Sequence, residues 1–577
     1  MKKYNTIERN AQIALFLLKA KGIKKVVASP GTTNIAIVGS MQNDDYFEMY
    51  SAPDERSAAY MACGLSAESG EPVVLTCTGA TASRNYLPGL TEAYYRKLPI
   101  IALTSTQNNC RSGHLYPQYI NRTEHPVDTV KKSYQIPVIS KAEDEWECVT
   151  KINDALLECK RAGGGPVHIN ITTGGEYVDF SVKDIKPCRN ILRHTYEDDL
   201  PSLDNKKVAI FIGSHKVFTE LETKIIDTFC SLYNSVVFCD QTSGYKGEYR
   251  VLYPIVARQQ ISDSNLTPDI LIHLGEVSGD YYTTGKLING PKVWRVNPDG
   301  ELRDYFHNLT DIFEMSETYF FKKYIERKKE GHLQKGYYDS CIAKRNEVLS
   351  LLGDLPFSNA WIVSQIASSI PENSCVHVGI LNSLRCWNFF EVNNSVNVFC
   401  NVGGFGIDGA LSTLIGASLV NPNKLYFAFI GDLAFFYDMN SLGNRHVGSN
   451  LRIMLINNGK GTEFRNYAHP GSKFGEDADL YIAAGGHYGN KSYDLVRHYS
   501  QDLGFKYLSA CNKQEFKASV CEFLTTEDNK QSIVFEVFTN NEDESNALKV
   551  INELQKEFNA KEAIVNVLGE KCLRVFK

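Results

Sequence analysis

Two polar steps at the ends of apolar runs carry the clearest chemistry in this chain. The apolar run 427–430 stops at Gly431-Asp432, and after a helix-like segment the run 451–456 stops at Asn457-Asn458-Gly459. Short apolar runs closed by polar, Gly-flanked turns predict buried strands of a parallel α/β sheet. Such sheets bind ligands outside the carboxyl ends of their strands. A carboxylate and an amide at neighbouring strand ends suit a hard cation. Magnesium takes one or two protein oxygens and fills its octahedron with phosphate oxygens and water, so Asp432 and Asn458 predict a metal shared with a diphosphate.

A second carboxylate has a different setting. A predicted strand at 47–51 ends in Pro53-Asp54-Glu55-Arg56, and SAAYMACGLSAESG then predicts a helix of small residues closed by Gly70. Glu55 falls at or just before the helix N-terminus, where capping and the helix dipole favour negative charge. A structural role is the plain reading of Glu55 taken alone. Nearby, strand 25–28 ends in Ser29-Pro30-Gly31, a turn with a built-in φ constraint. Strand 72–77 ends in Thr78-Gly79-Ala80-Thr81, with Asn85 beyond it. Strand 99–104 opens a polar loop, 105–125, that holds Gln107, Arg111, His114, Gln118 and Arg122. For any single residue of that loop, a solvated surface position is the plain reading.

The elements that must position these groups are α/β throughout. The predicted fold is three doubly wound parallel-sheet domains: 1–183, a polar linker at 184–205, a Rossmann-like middle domain at 206–316, a charged helical connector at 317–356, and 357–577. The middle sheet, with strands near 207–213, 235–240, 269–275 and 293–297, lacks a G-x-G-x-x-G fingerprint and is read as scaffold. Gly163-Gly164-Gly165 precedes a strand rather than a helix, so it is read as a turn, with His168 a strand residue. Beyond about Glu515 a last strand, 532–538, and surface helices are expected. At 43% hydrophobic and 22% charged residues, the composition excludes a disordered chain. A net charge of −6 gives no basic footprint for nucleic acid. No apolar run is long enough to span a membrane, and the N-terminal stretch reads as a first helix rather than a signal peptide. The 15 cysteines, scattered from Cys63 to Cys572 without a C-x-x-C pair, suit reduced cytoplasmic thiols. No short-period repeat is visible.

Gly431-Asp432, its spacer and Asn457-Asn458 resemble the binding motif of the thiamine-diphosphate-dependent decarboxylase and carboligase family. The segment DERSAAYMACGLSAESG resembles most closely the branch of the menaquinone-pathway synthase. The resemblance covers nearly the whole chain, and it implies thiamine diphosphate and Mg²⁺ as cofactors. The metal ligands it implies are Asp432, Asn458 and the main chain of Lys460. Gly431, Leu433 and Ala434 complete the first motif, Leu433 standing where the family usually has glycine. The resemblance also makes Glu55 the activating carboxyl that bonds the aminopyrimidine, a role that requires a dry site and a raised pKa. Pro30, Thr78 and Asn85 fall on the pyrimidine side, while Asn382 and Ser383 fall at the diphosphate. Phe405 by its backbone and Ile407 by its side chain fall where the cofactor is bent into a V.

The reaction implied by this resemblance is decarboxylation of a 2-oxo acid, with transfer of the acyl carbanion to an acceptor. Simple decarboxylation, the menaquinone synthase reaction itself and non-catalytic cofactor binding are the alternatives. Gln118 falls near a substrate-side glutamine, and Glu463 sits beside the metal turn where that branch has an apolar residue. Three arginines by which that branch reads its dicarboxylate acceptor are replaced. The chain has Thr32-Thr33-Asn34 at the first, Ser105-Thr106-Gln107-Asn108 at the second, and Trp387 at the third, with Arg385 two residues before it. The menaquinone reaction is therefore not expected. A homodimer or homotetramer with sites between subunits is, together with a cytoplasmic location and no membrane or nucleic-acid partner.

Overall fold

Strands of three to seven residues alternate with helices, and most central strands are buried on both faces. Val73–Cys77, Ile100–Thr106 and Leu451–Asn457 are buried at every position. Strands without a solvent face need helices on both sides, which parallel βαβ crossovers supply. The computed structural model describes residues 4–107, 109–122, 124–174, 178–259, 261, 263–328, 335–526 and 530–555. Asn108 in the polar loop, Cys572 among the expected free thiols, and the end of the expected surface helices beyond 555 lie outside them.

The chain divides into two compact units, Met1–Asp198 with Gly300–Glu314, and Asp199–Asp299 with Met315–Lys577. The first unit holds β1 (Lys25–Ala28), β2 (Glu48–Ser51), β3 (Val73–Cys77), β4 (Ile100–Thr106), β5 (Ser133–Ile136) and β6 (Val167–Thr172). They form a parallel sheet in the order β2-β1-β3-β4-β6-β5. β7 (Leu192–His194), inside the stretch read as linker, pairs in parallel with β13 (Leu309–Phe313) of the same unit.

In the second unit β8 (Val208–Ile212), β9 (Ser235–Cys239), β10 (Arg250–Leu252), β11 (Ile270–Leu274) and β12 (Lys292–Val296) run in the order β10-β9-β8-β11-β12. A further parallel sheet contains β14 (Cys375–Val378), β15 (Asn397–Cys400), β16 (Tyr426–Gly431), β17 (Leu451–Asn457), β18 (Lys506–Ala510) and β19 (Ile533–Phe538), ordered β15-β14-β16-β17-β19-β18.

The first and last sheets therefore share one topology, strand for strand. This duplication is invisible as a sequence repeat, because it conserves connection order rather than residues. Each sheet has a switch point near its middle, between β1 and β3 in the first and between β14 and β16 in the last. Open α/β sheets bind ligands in the crevice at such a switch point. Ser29-Pro30-Gly31 and Thr78-Gly79 follow the two switch-point strands of the first sheet, and Asn382 and Gly431-Asp432 those of the last.

Candidate active site

β16 and β17 pair in parallel with Gly431 opposite Ile456, which brings their polar ends side by side. Asp432, 4% exposed, opens the helix Asp432–Asp438. One carboxylate oxygen accepts from the Leu433 N–H at 2.8 Å and the other from the Gly459 N–H at 2.6 Å. Gly459 has φ +77, a left-handed conformation that favours glycine, and it turns its N–H back towards Asp432. Burial pushes the Asp432 pKa up to about 6, against the pull of those N–H groups. Asn458 Oδ1 is buried without a hydrogen-bond partner among the described residues. A buried acceptor without a donor is costly, and a cation relieves both it and the buried carboxylate. The donor set thus fits a hard metal ion. Lys460 directs its ammonium to Asp479, as Arg465 does its guanidinium at 2.6 Å, so the Lys460 side chain has its own partner.

Both switch points carry the same backbone irregularity. Leu381 (φ 60, ψ −116) precedes the short helix Asn382–Trp387, and Ala80 (φ 54, ψ −124) precedes the short helix Thr81–Asn85. Non-glycine residues in this region are strained, and such strain clusters where a ligand must be met. Ser383 is buried, with its hydroxyl 3.4 Å from the Asn359 amide nitrogen. Asn382 donates to Glu544 at 3.2 Å. Glu544, on the helix Asn541–Asn552, also accepts from the Asn359 N–H at 3.0 Å and the Thr539 hydroxyl at 2.8 Å. The expected surface helix thus places a carboxyl in the interior, and desolvation pushes its pKa up to about 7. Phe405 has φ +53 and stands edge-on to Tyr281, ring centroids 5.6 Å apart. Ile407 packs partly buried against the core of the last sheet.

In the first unit the helix Glu55–Ser69 begins with Glu55 itself, and the cap is Asp54, which accepts from the Ser57 N–H at 3.1 Å. Capping is therefore the work of Asp54 and leaves the Glu55 carboxylate unspent. Glu55 is half-buried and makes no hydrogen bond or ion pair among the described residues. Thr78 meets Thr33 hydroxyl to hydroxyl at 2.6 Å, and Thr33 donates to the Ser105 carbonyl at 3.0 Å. Pro30, Asn85 and Gln118 are exposed, Gln118 with φ +69. Gly163, Gly164 and Gly165 all have positive φ and lead into β6, where His168 is buried beside Thr104 at 2.8 Å.

Sequence reasoning named Arg385, Glu463 and Arg122 and missed how they are placed. Arg385 and Glu463 form a two-pronged ion pair, so Glu463 does not stand as an isolated negative charge. Arg122 is 5% exposed rather than a solvated loop residue. The first could have been suspected only from the coincidence of an extra cation and an extra anion. Nothing local signalled the second.

Residues 9–125 match the family model of the thiamine pyrophosphate enzymes' N-terminal TPP binding domain. Across its length the chain is similar to the 2-succinyl-5-enolpyruvyl-6-hydroxy-3-cyclohexene-1-carboxylate synthase of Bacteroides thetaiotaomicron, 30% identical over 566 residues, covering 94% of this chain and 98% of the relative. The synthase of the same name from Phocaeicola vulgatus is 29% identical over 563 residues, covering 94% and 97%. A Bacteroides fragilis relative is 29% identical with 94% and 98% covered. Thiamine diphosphate, with Mg²⁺, is accordingly the cofactor. The chain belongs to the thiamine-diphosphate-dependent enzymes, in the family of the 2-succinyl-5-enolpyruvyl-6-hydroxy-3-cyclohexene-1-carboxylate synthases.

Proposed function

We propose that this enzyme decarboxylates a small 2-oxo acid and transfers the resulting acyl unit to an acceptor. The observation that carries the reading is a buried Asp432 carboxylate at the end of one strand and, at the end of its neighbour, an Asn458 Oδ1 that has no partner among the described residues. Asp432, Asn458 and the Lys460 carbonyl hold the metal, with Gly431, Leu433 and Ala434 shaping the turn. Asn382 and Ser383 hold the diphosphate side, and Phe405 and Ile407 the ring junction. Pro30, Thr78 and Asn85 line the pyrimidine side. Bound thiamine diphosphate supplies the carbon nucleophile that makes loss of carbon dioxide from a 2-oxo acid feasible. Glu55, without a hydrogen bond among the described residues, shares a proton with the aminopyrimidine, and Gln118 orients the substrate. The enzyme acts in the cytoplasm as a homodimer or homotetramer with sites shared between subunits. Tyr60 and Met61, 48% and 39% exposed on the helix that begins at Glu55, suit burial against a second copy.

The second reading is the synthase activity of the relatives, favoured by their name and coverage. Against it stands Arg385, whose guanidinium is engaged by Glu463 and is not open to an acceptor's carboxylate. The test offers purified enzyme, thiamine diphosphate and Mg²⁺ a panel of 2-oxo acids with and without aldehyde or enoate acceptors, and reads products by mass spectrometry. Ligated product from an acceptor other than isochorismate supports the first reading. Efficient turnover of 2-oxoglutarate with isochorismate selects the second, and carbon dioxide release without ligation selects a simple decarboxylase.

A further inference from the structure

We propose that Arg122 binds a carboxylate of the small-molecule substrate, at the carboxyl ends of β3 and β4 in the first unit. The inference rests on the reading of the chain as a 2-oxo acid enzyme and names a group that recognises its substrate.

A guanidinium this deeply buried requires an anion. Arg122 is 5% exposed, and its Nη1 donates one hydrogen bond, to the Ser105 carbonyl at 3.2 Å. Among the described residues, Nε is buried without a partner and Nη2 donates to nothing. A buried charge is normally paired with a counter-charge as well as hydrogen-bonded. No carboxylate pairs with Arg122 among the described residues. Arg84 adds a second positive charge nearby, and Cys77 is a thiol whose pKa burial pushes up to about 12. Burial lowers the pKa of Arg122 to about 10, which leaves it cationic at neutral pH.

The surroundings are shaped to admit this group. Its guanidinium lies against Gly79, where an added Cβ would stand 3.1 Å from Nη1 and 3.2 Å from Nη2. Any other residue after Thr78 would crowd it. Ser105, whose carbonyl accepts from Nη1, belongs with Thr33 and Thr78 to one hydroxyl cluster, which supplies further donors for an anion's oxygens. Arg111, on the same loop, is exposed and already donates to the Tyr119 hydroxyl at 3.1 Å. Among the described residues of this loop, Arg122 is the buried cation that no carboxylate of the described residues meets.

The test measures binding of three non-reacting carboxylates to the enzyme loaded with thiamine diphosphate and Mg²⁺. Oxamate imitates the 2-oxo acid head, glutarate a distal carboxylate and crotonate an enoate acceptor, so the one that responds identifies the source. Calorimetry should show Arg122→Gln weakening at least one of them tenfold or more, with thiamine diphosphate affinity and melting temperature held. Affinities within twofold of wild type for all three overturn the proposal, as does failure of the wild type to bind any. Should Arg122→Gln not fold, Arg122→Lys decides on the same readout, because an ammonium keeps the charge but loses the planar fork that matches a carboxylate. Unchanged affinity in that variant overturns the proposal too. Repeating the titration without cofactor separates the two readings: a wild-type chain that takes up no thiamine diphosphate sinks the proposed function, while carboxylate binding that still depends on Arg122 leaves this one standing.

Discussion

Arg385 and Glu463 join the helix after β14 to the turn after β17 through two hydrogen bonds, 2.8 Å from Nη1 to Oε2 and 2.9 Å from Nη2 to Oε1. Their side chains are 13% and 20% exposed. Burial works against the guanidinium charge, and Glu463 more than restores it, leaving the pKa of Arg385 raised. Each side chain thus neutralises the other beside the turn at Asn458-Gly459.

The pair should behave as one unit. Arg385→Met and Glu463→Gln each leave a largely buried charge alone, whereas the double variant removes both. A double-mutant cycle by urea unfolding should give a coupling of about 1–3 kcal/mol. Additive single effects would show that the pair contributes geometry without energy.

Cofactor affinity should depend on Asp432 and Asn458. On the proposed site, Asp432→Ala removes a metal ligand and leaves phosphate charge uncompensated. Even the outer partners of metal sites are worth about 10–100-fold in affinity, so direct ligands should be worth at least that. Calorimetry with thiamine diphosphate and Mg²⁺ measures it, and unchanged affinity would end the assignment.

Glu55→Gln should retain cofactor and lose proton transfer, because an amide cannot relay a proton to the aminopyrimidine. Exchange of the thiazolium proton for deuterium should slow by about 10²–10⁴-fold. If sites are shared between subunits, mixing Glu55→Ala with Asp432→Ala protein should restore some activity. Mixed oligomers that are demonstrably formed yet inactive would argue against sharing.

Glu544 predicts a pH dependence. Its folded pKa, about 7 through burial, lies above the roughly 4.3 of an unfolded glutamate. Between those values the folded chain holds a proton that the unfolded chain has released. Stability from this group is therefore greatest at low pH and falls as pH rises to about 7, then levels. The nearby Asp543 charge adds to the effect. Glu544→Gln should flatten the decline, by on the order of 3 kcal/mol across that window. Urea midpoints at pH 5, 6, 7 and 8 for both proteins check it, and parallel curves would remove Glu544 as the source.

The sequence by itself determined the strands that are buried on both faces and the turns that close them. An apolar run ending in Gly-Asp or Asn-Asn-Gly is a local pattern, since each strand of a parallel sheet carries its own burial and its own exit. The cofactor was legible through the family resemblance that Gly431-Asp432, Asn457-Asn458 and the Glu55 segment carry, and these motifs stand at such exits. The edge strands β5 and β18 were not legible, being half-exposed and so lacking a continuous apolar run. The short β10 and the half-buried β15 escaped likewise. Only the tertiary structure decided the partnerships: Arg385 with Glu463, Glu544 with Asn382, and Arg122 against Gly79. Their members lie dozens to more than a hundred residues apart in the chain. A side chain's charge is written in the sequence, but whether that charge is solvated, paired or buried alone depends on which strand ends the sheet order brings together.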